Sequence, residues 1–210
     1  MNNVFTRPLV LATHNKNKID EFRTFLAPYS VQTLTLKELN VPEPEETGTT
    51  FAENAALKAI GAAQATGHVA ISDDSGLCIH DLDGAPGIFS ARWAGLQKDF
   101  YAAAERVCSE LKARGFQDLS QCRAHFVSAL VLAWPNGKHA LFEGRVWGRL
   151  TWPLRGDKGF GYDPLFIPDG SERTFGEMTL AEKHGVPLGN GTSHRAKAFM
   201  ALAKAHLGAV

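Results

Sequence analysis

Leu9-Val10-Leu11-Ala12-Thr13-His14-Asn15-Lys16-Asn17-Lys18-Ile19-Asp20-Glu21-Phe22-Arg23-Thr24-Phe25-Leu26 changes period partway along, and that change decides the fold class. Leu9 to Ala12 is an unbroken apolar run that reads as a short buried strand, after which Ile19, Phe22, Phe25 and Leu26 recur at helical spacing. Thr13 to Lys18 is then a strand-to-helix loop, the place where α/β folds bind ligands. It offers a hydroxyl, carboxamides and two ammonium groups at a helix N-terminus, where the helix dipole favours anions. Phosphate is the natural guest. The glycine pattern of a Walker A loop is missing, and a polar turn with an Asn cap explains the same residues.

Working outward, a Pro/Glu-rich stretch from Val41 to Glu46 precedes Thr50, which with Glu53 forms a capping box opening a helix through about Thr66. A second strand, His68 to Ser72, leads into the turn-like Asp73-Asp74-Ser75-Gly76. Phe100, Tyr101, Ala104, Val107, Cys108 and Leu111 predict a third amphipathic helix capped by Asp99. Arg123 to Trp134 is strand-like, Pro135-Asn136-Gly137 is a hairpin signal, and Lys138 to Trp147 is the returning strand. Gly156 to Pro164 is a glycine-rich loop, and Ser193 starts a last helix with Ala196, Phe199, Met200, Ala203 and Leu207 on its apolar side. The order predicts a mixed-sheet α/β protein of one domain over residues 1–210, with one or two packed lobes. Strand order does not follow from the pattern.

The totals set limits on function. A chain of 210 residues with 44% hydrophobic side chains buries a sizeable core. Its 22 basic and 22 acidic residues cancel, which argues against a broad footprint for nucleic acid or an anionic membrane, so phosphate binding has to be local. Cys78, Cys108 and Cys122 are odd in number and lack metal-type spacing, as expected of buried, reduced thiols in a cytoplasmic protein. Pro8 to Ala12 is too short for a signal-peptide core, and no segment approaches a membrane span.

Two acidic groups draw attention. Glu43, Glu45 and Glu46 lie in the loop before the capped helix, and Asp73 and Asp74 follow a buried strand. If they converge they suit magnesium, a hard cation that takes one or two carboxylates plus substrate phosphates. A solvated loop and an Asx turn are the plainer explanations. Glu53 is accounted for by capping, while Asn54 and Lys58 share one helix face that meets either a ligand or solvent. Gly159-Phe160-Gly161-Tyr162-Asp163-Pro164 combines close-approach glycines with aromatic surface for stacking a base and a carboxylate for its edge. Ser193-His194-Arg195 places a cap and two donors at a helix start, and Lys183 taken alone reads as a surface lysine. No Gly-x-Ser-x-Gly elbow and no His-x-x-x-His pair occurs, which disfavours a serine nucleophile and a zinc site.

Thr13 to Lys18, Glu46-Thr47-Gly48 with Phe51-Ala52-Glu53-Asn54-Ala55, Asp73-Asp74-Ser75-Gly76-Leu77, Gly159 to Pro164 and Ser193-His194-Arg195, taken together and in order, resemble the inosine/xanthosine triphosphate pyrophosphatase family. Gly84-Ala85-Pro86-Gly87 with Ser90-Ala91-Arg92 resembles that family's segment after its acidic motif. The resemblance implies an elongated mixed sheet with two α/β lobes flanking a nucleotide-binding cleft, and a homodimer. It also implies Mg2+-dependent cleavage of noncanonical purine triphosphates (dITP/ITP, XTP/dXTP) between the α- and β-phosphates, which keeps deaminated purines out of DNA and RNA.

Carried over by motif, Thr13, His14, Asn15, Lys16, Asn17 and Lys18 hold the triphosphate. Asp74 ligates the metal and serves as general base, and Glu46 or its neighbour Glu45 completes the metal site. Ser75 contacts the substrate; Phe160, Gly161, Tyr162 and Asp163 cradle the base; Lys183, His194 and Arg195 hold base or phosphate. A longer spacer than the family commonly shows, 184–192, separates Lys183 from Ser193 and reads as a lid. Two rival readings are a nucleotide sensor that does not hydrolyse its ligand and a pyrophosphatase selecting another modified base.

Overall fold

The computed structural model describes residues 7–185 and 191–208. Strand β1 (Leu9–Leu11) is fully buried and lies between two parallel neighbours. On one side is β2 (Thr33–Thr35), with Val10 opposite Leu34; on the other is β3 (Ala70–Ile79), with Val10 opposite Ala70. Strands β4 (Arg123–Ala133) and β5 (His139–Leu150) flank the hairpin turn, closed by Trp134 N–H to the Lys138 carbonyl at 2.8 Å and by Gly137 at φ 84°. Strand β6 (Phe166–Pro168) runs antiparallel to the end of β5, Leu150 opposite Phe166. The sheet order is β2-β1-β3-β4-β5-β6, so the fold is a mixed six-stranded sheet with helices, as the alternation of periods predicts.

Helix α1 (Lys16–Leu26) follows β1 at once, its Asn15 side chain accepting from the Asn17 and Lys18 amides. Helix α2 (Phe51–Thr66) carries the predicted capping box and stops at Gly67, φ 67°. The short α3 (Ser90–Trp93) precedes α4 (Phe100–Ala113), on which Asp99 caps the Ala102 amide at 3.0 Å. Near the end come α5 (Leu180–His184) and α6 (His194–His206).

One element is longer than predicted. The strand expected at 68–72 runs on through Asp73-Asp74-Ser75-Gly76 to Ile79, so the acidic pair is not a turn. Strand geometry survives there because both carboxylates are paired by side chains from elsewhere, leaving no need for an Asx turn to satisfy them. The three-residue β2 and β6 are too short to give a periodic signal.

The chain divides into two compact units. The first gathers Met1–Asp74, Ser128–Gly144 and Arg195–Val210. Its core sets Ala55, Ala59, Ala62 and Ala63 of α2 with Val10, Ala70, Ala129 and Val131 of the sheet, small side chains that let a helix approach closely. The second gathers Ser75–Val127 and Arg145–His194, with a bulkier core of Leu77, Ile79, Val107, Leu111, Phe126 and Phe175. Burying each such side chain contributes about 1.5–3 kcal/mol. Cys78, Cys108 and Cys122 are free thiols whose burial pushes each up to about 11, so they stay protonated at neutral pH. No helix among the described residues is long and apolar enough to cross a membrane.

Candidate active site

In the first unit everything turns on β3. Adjacent side chains on a strand point to opposite faces, so Asp73 and Asp74 meet different partners. Asp73 is fully buried and accepts from Ser128 Oγ at 2.5 Å, while Lys18 Nζ lies 2.9 Å and Arg195 Nη2 3.3 Å from its Oδ2. Burial pushes this carboxyl up, but the guanidinium, the ammonium and the hydroxyl outweigh it and hold Asp73 well below the usual carboxylate range.

Asp74, 6% exposed, meets α2 instead. Asn54 Nδ2 donates to its Oδ2 at 3.2 Å, and Lys58 Nζ stands 4.0 Å from its Oδ1. The same ammonium lies 2.5 Å from Glu46 Oε1 and donates to the Asp73 carbonyl at 3.2 Å. Burial raises the Asp74 carboxyl against the pull of Lys58 and Lys18, and the Glu46 and Asp73 charges add to the rise. Burial alone would lower Lys58; Asp74 and Glu46 more than offset that and hold it above the ordinary lysine range.

The acidic loop is clamped onto α2. Asn54 Oδ1 accepts from the Gly48 amide at 2.8 Å, and a Cβ at Gly48 would come within 2.7 Å of the Glu53 Cβ, so only glycine allows this approach. Asn54 therefore ties the loop carrying Glu46 to the Asp74 carboxylate. The spacing of Asn54 and Lys58 put both on one face, but only the structure reveals that this face turns inward onto Asp74.

The first loop is largely self-satisfied. Thr13 Oγ1 accepts from the Asn15 amide at 3.1 Å, and Asn15 Oδ1 takes the Asn17 and Lys18 amides. The His14 amide donates to Glu43 Oε2 at 2.8 Å. Lys16 is exposed and pairs with Asp20 at 2.6 Å, whereas Lys18 turns inward to Asp73. A cavity of about 450 Å³ opens beside this loop, lined by Thr13, His14 and Lys16 together with Arg23 and Lys37.

Arg195 sits differently from an arginine that faces a ligand: it is 1% exposed and its guanidinium pairs with Glu21 and Asp73. Glu21, on the inner face of α1, is the partner that no local pattern reveals.

In the second unit Asp163, 2% exposed, accepts from the Phe160 amide at 2.9 Å and from Lys183 Nζ at 2.7 Å through the same oxygen. Lys183 is thus a buried, paired lysine and not the surface residue its sequence position suggests, and its Nζ lies 5.4 Å from the Phe160 ring centroid. Phe160 and Gly161 are half-buried. Tyr162 is buried, donates to the Ser90 carbonyl at 3.1 Å and meets Phe100 edge-on, so burial pushes its hydroxyl well above the ordinary range. Ser90 in turn accepts from the Leu77 amide, which gives the Gly84-to-Arg92 segment a structural part in holding Tyr162.

His194 stacks on Phe126 at 4.8 Å and 14°, and His184 Nδ1 lies 2.7 Å from Ser193 Oγ. The Thr192 and Ser193 amides both donate to the Lys183 carbonyl, so the ends of the 184–192 spacer are joined however long it is. The lid reading falls mainly on 186–190, outside the described residues. Ser75, next to Asp74, is half-buried.

Among the described residues no three His, Cys, Asp or Glu side chains gather as a metal cluster. The donor set that fits a hard cation is the pair Glu46 and Asp74, two carboxylates within 2.5 and 4.0 Å of one ammonium; Glu45, by contrast, is exposed.

Residues 9–205 match the sequence model of the Ham1 family. The chain is 55% identical over 197 residues to a dITP/XTP pyrophosphatase of Bradyrhizobium sp., covering 93% of this chain and 92% of that protein. It is 53% identical over 205 residues to a dITP/XTP pyrophosphatase of Rhodopseudomonas palustris, covering 97% and 98%. Among solved structures, a HAM1 protein from Coxiella burnetii superposes with a TM-score of 0.85 at 35% identity, over 96% of this chain and 99% of that one. The Staphylococcus aureus Ham1 protein does so at 0.81 and 32%, with coverage of 96% and 99%.

Proposed function

This chain belongs to the Ham1 family, and we propose that it is a pyrophosphohydrolase converting noncanonical purine nucleoside triphosphates, dITP/ITP and XTP/dXTP, to the monophosphate and pyrophosphate. The observation that carries this reading is Asp74: a buried carboxylate in mid-strand, oriented by Asn54 and sharing the Lys58 ammonium with Glu46.

Asp74 is the general base that takes a proton from the attacking water, its carboxyl raised by burial toward the range useful for that work. Glu46 and Asp74 hold Mg2+, which when bound neutralises triphosphate charge. Of the two neighbouring glutamates we assign Glu46, because it reaches Lys58 while Glu45 is exposed. Thr13, His14, Asn15, Asn17 and Lys16 hold the phosphates. Lys18 gives two donors to Asp73, and its remaining donor serves the departing pyrophosphate.

Ser75 contacts the substrate. Phe160 and Gly161 supply the surface for the base, positioned by Tyr162 and Asp163, and Lys183 and His194 donate to its 6-oxo group, an acceptor where adenine has an amine. Arg195 acts through Asp73 and Glu21, holding β3 in place. The reading takes 1–210 as one catalytic domain in a cytoplasmic homodimer that engages neither nucleic acid nor membrane, in keeping with its balanced charge.

The test is a hydrolysis panel over inosine, xanthosine, guanosine, adenosine and modified pyrimidine triphosphates with Mg2+, distinguishing pyrophosphate from orthophosphate. Inosine and xanthosine triphosphates should lead, with pyrophosphate as first product, and Asp74→Asn should lose about a hundredfold or more in turnover. Orthophosphate as first product would refute the reaction, and near-normal turnover by Asp74→Asn would refute the assigned base.

A further inference from the structure

Lys183 and His194, the two donors assigned to the base, rest on one aromatic cluster. Phe126, on β4, faces the His194 imidazole with ring centroids 4.8 Å apart and planes within 14°, a parallel stack. The same phenylalanine meets Phe166 edge-on at 4.8 Å and stacks on Phe175 at 6.1 Å. Phe175 in turn stands 5.6 Å from the Lys183 ammonium, a distance at which a ring face attracts a cation. Phe126, Phe175, Lys183 and His194 are all buried, and all belong to the second unit. The Lys183 carbonyl takes the Ser193 amide, so His194 starts one residue from a group tied to Lys183.

An imidazole N–H lies in the plane of its ring, so the orientation of the ring decides which acceptors it meets. The second torsion of a histidine side chain is broad and by itself holds that plane weakly. The stack on Phe126 supplies the restraint, because turning the imidazole out of parallel gives up the contact between the two faces. Choosing a 6-oxo group over a 6-amino group depends on such restraint. A donor free to swing away from the amine would tolerate adenine, whereas a fixed one is left facing another donor. We propose, on the base-reading role given to His194 above, that Phe126 is a specificity-determining residue for the base. It fixes the plane in which His194 presents its N–H to the 6-oxo group, and through Phe175 it helps to seat the Lys183 ammonium. Phe126 acts through these two donors and is a positioning residue.

The test compares Phe126→Leu, which keeps an apolar side chain but no ring face, with Phe126→Tyr, which keeps the face. In Phe126→Leu, KM for inosine triphosphate should rise about tenfold with kcat within about twofold, while kcat/KM for adenosine triphosphate stays level. The preference for inosine over adenosine, read as the ratio of kcat/KM, should therefore fall about tenfold, and Phe126→Tyr should keep most of it. Proton NMR reads the stack directly. The His194 Cε1–H signal, identified by its absence in His194→Gln, should lie upfield of an unstacked imidazole in wild type and Phe126→Tyr, and move downfield in Phe126→Leu. If Phe126→Leu unfolds by circular dichroism, Phe126→Ile, better suited to a strand, carries the same comparison. A parallel loss for both triphosphates, or an unchanged preference once NMR shows the stack gone, would overturn the role of Phe126 and leave the pyrophosphohydrolase reading intact. A wild type that hydrolyses adenosine triphosphate as well as inosine triphosphate would overturn that reading, and the base selection with it.

Discussion

Asp73 and Asp74 are the same residue type, one position apart, with opposite perturbations, because a strand turns them to opposite faces. Asp73 has partners in Lys18, Ser128 and Arg195, so Asp73→Asn leaves the buried Arg195 and the half-buried Lys18 short of their counter-charge. It should cost about 3–5 kcal/mol in urea unfolding at pH 7. The pH dependence follows from the direction of the shift. A carboxyl lower in the folded chain than its unfolded value of about 3.9 contributes stability above that value and loses it as pH falls toward the folded one. Wild-type stability should therefore fall more steeply with acid below about pH 4 than that of Asp73→Asn; parallel acid limbs would exclude the role. Asn54→Ala should cost about 1–3 kcal/mol, since it removes the acceptor of the Gly48 amide and a donor to Asp74 together. At this scale the sequence marks Asp74 by its place after an apolar strand. The Glu21–Arg195 pair, 174 positions apart, leaves no local pattern to read.

At the scale of elements, caps and glycines set the site's geometry. Thr50 Oγ1 accepts from the Glu53 amide at 3.1 Å at the start of the helix that presents Asn54 and Lys58. Thr50→Ala should lower stability by about 1 kcal/mol, read from the thermal midpoint. Gly159, at φ 74°, is the more telling position: a Cβ there would lie 2.1 Å from Asp163 Oδ2, the oxygen that also takes Lys183. Gly159→Ala should displace that carboxylate from the lysine and raise KM for inosine triphosphate by about tenfold, with kcat changed much less because Asp74 is untouched. An equal loss in kcat would tie the loop to the chemical step instead. The capping box, the Asp99-capped helix and the hairpin were legible because each has a local chemical signature. The extent of β3 was not, since its acidic residues read as a turn until their distant partners are known.

At the scale of the molecule, alternating periods announced a mixed α/β sheet, but the order β2-β1-β3-β4-β5-β6 depends on pairings far apart in the chain that periodicity does not encode. The division into two units was legible only as one or two lobes. Strands β3, β4 and β5 each begin in one unit and end in the other: β3 passes over at Asp74 and Ser75, β4 at Val127 and Ser128, β5 at Gly144 and Arg145. The two units are therefore joined by three continuous strands and not by linkers. Unfolding should be a single cooperative transition, as for one domain. The four tryptophans allow the check, because Trp134 lies in the first unit and Trp93, Trp147 and Trp152 in the second. Variants keeping only Trp134 or only Trp152, the others replaced by Phe, should give coincident fluorescence midpoints in urea once corrected for each variant's overall stability by circular dichroism. Two separated midpoints within one variant, one by fluorescence and one by circular dichroism, would mean that the units unfold independently and that 1–210 is two domains.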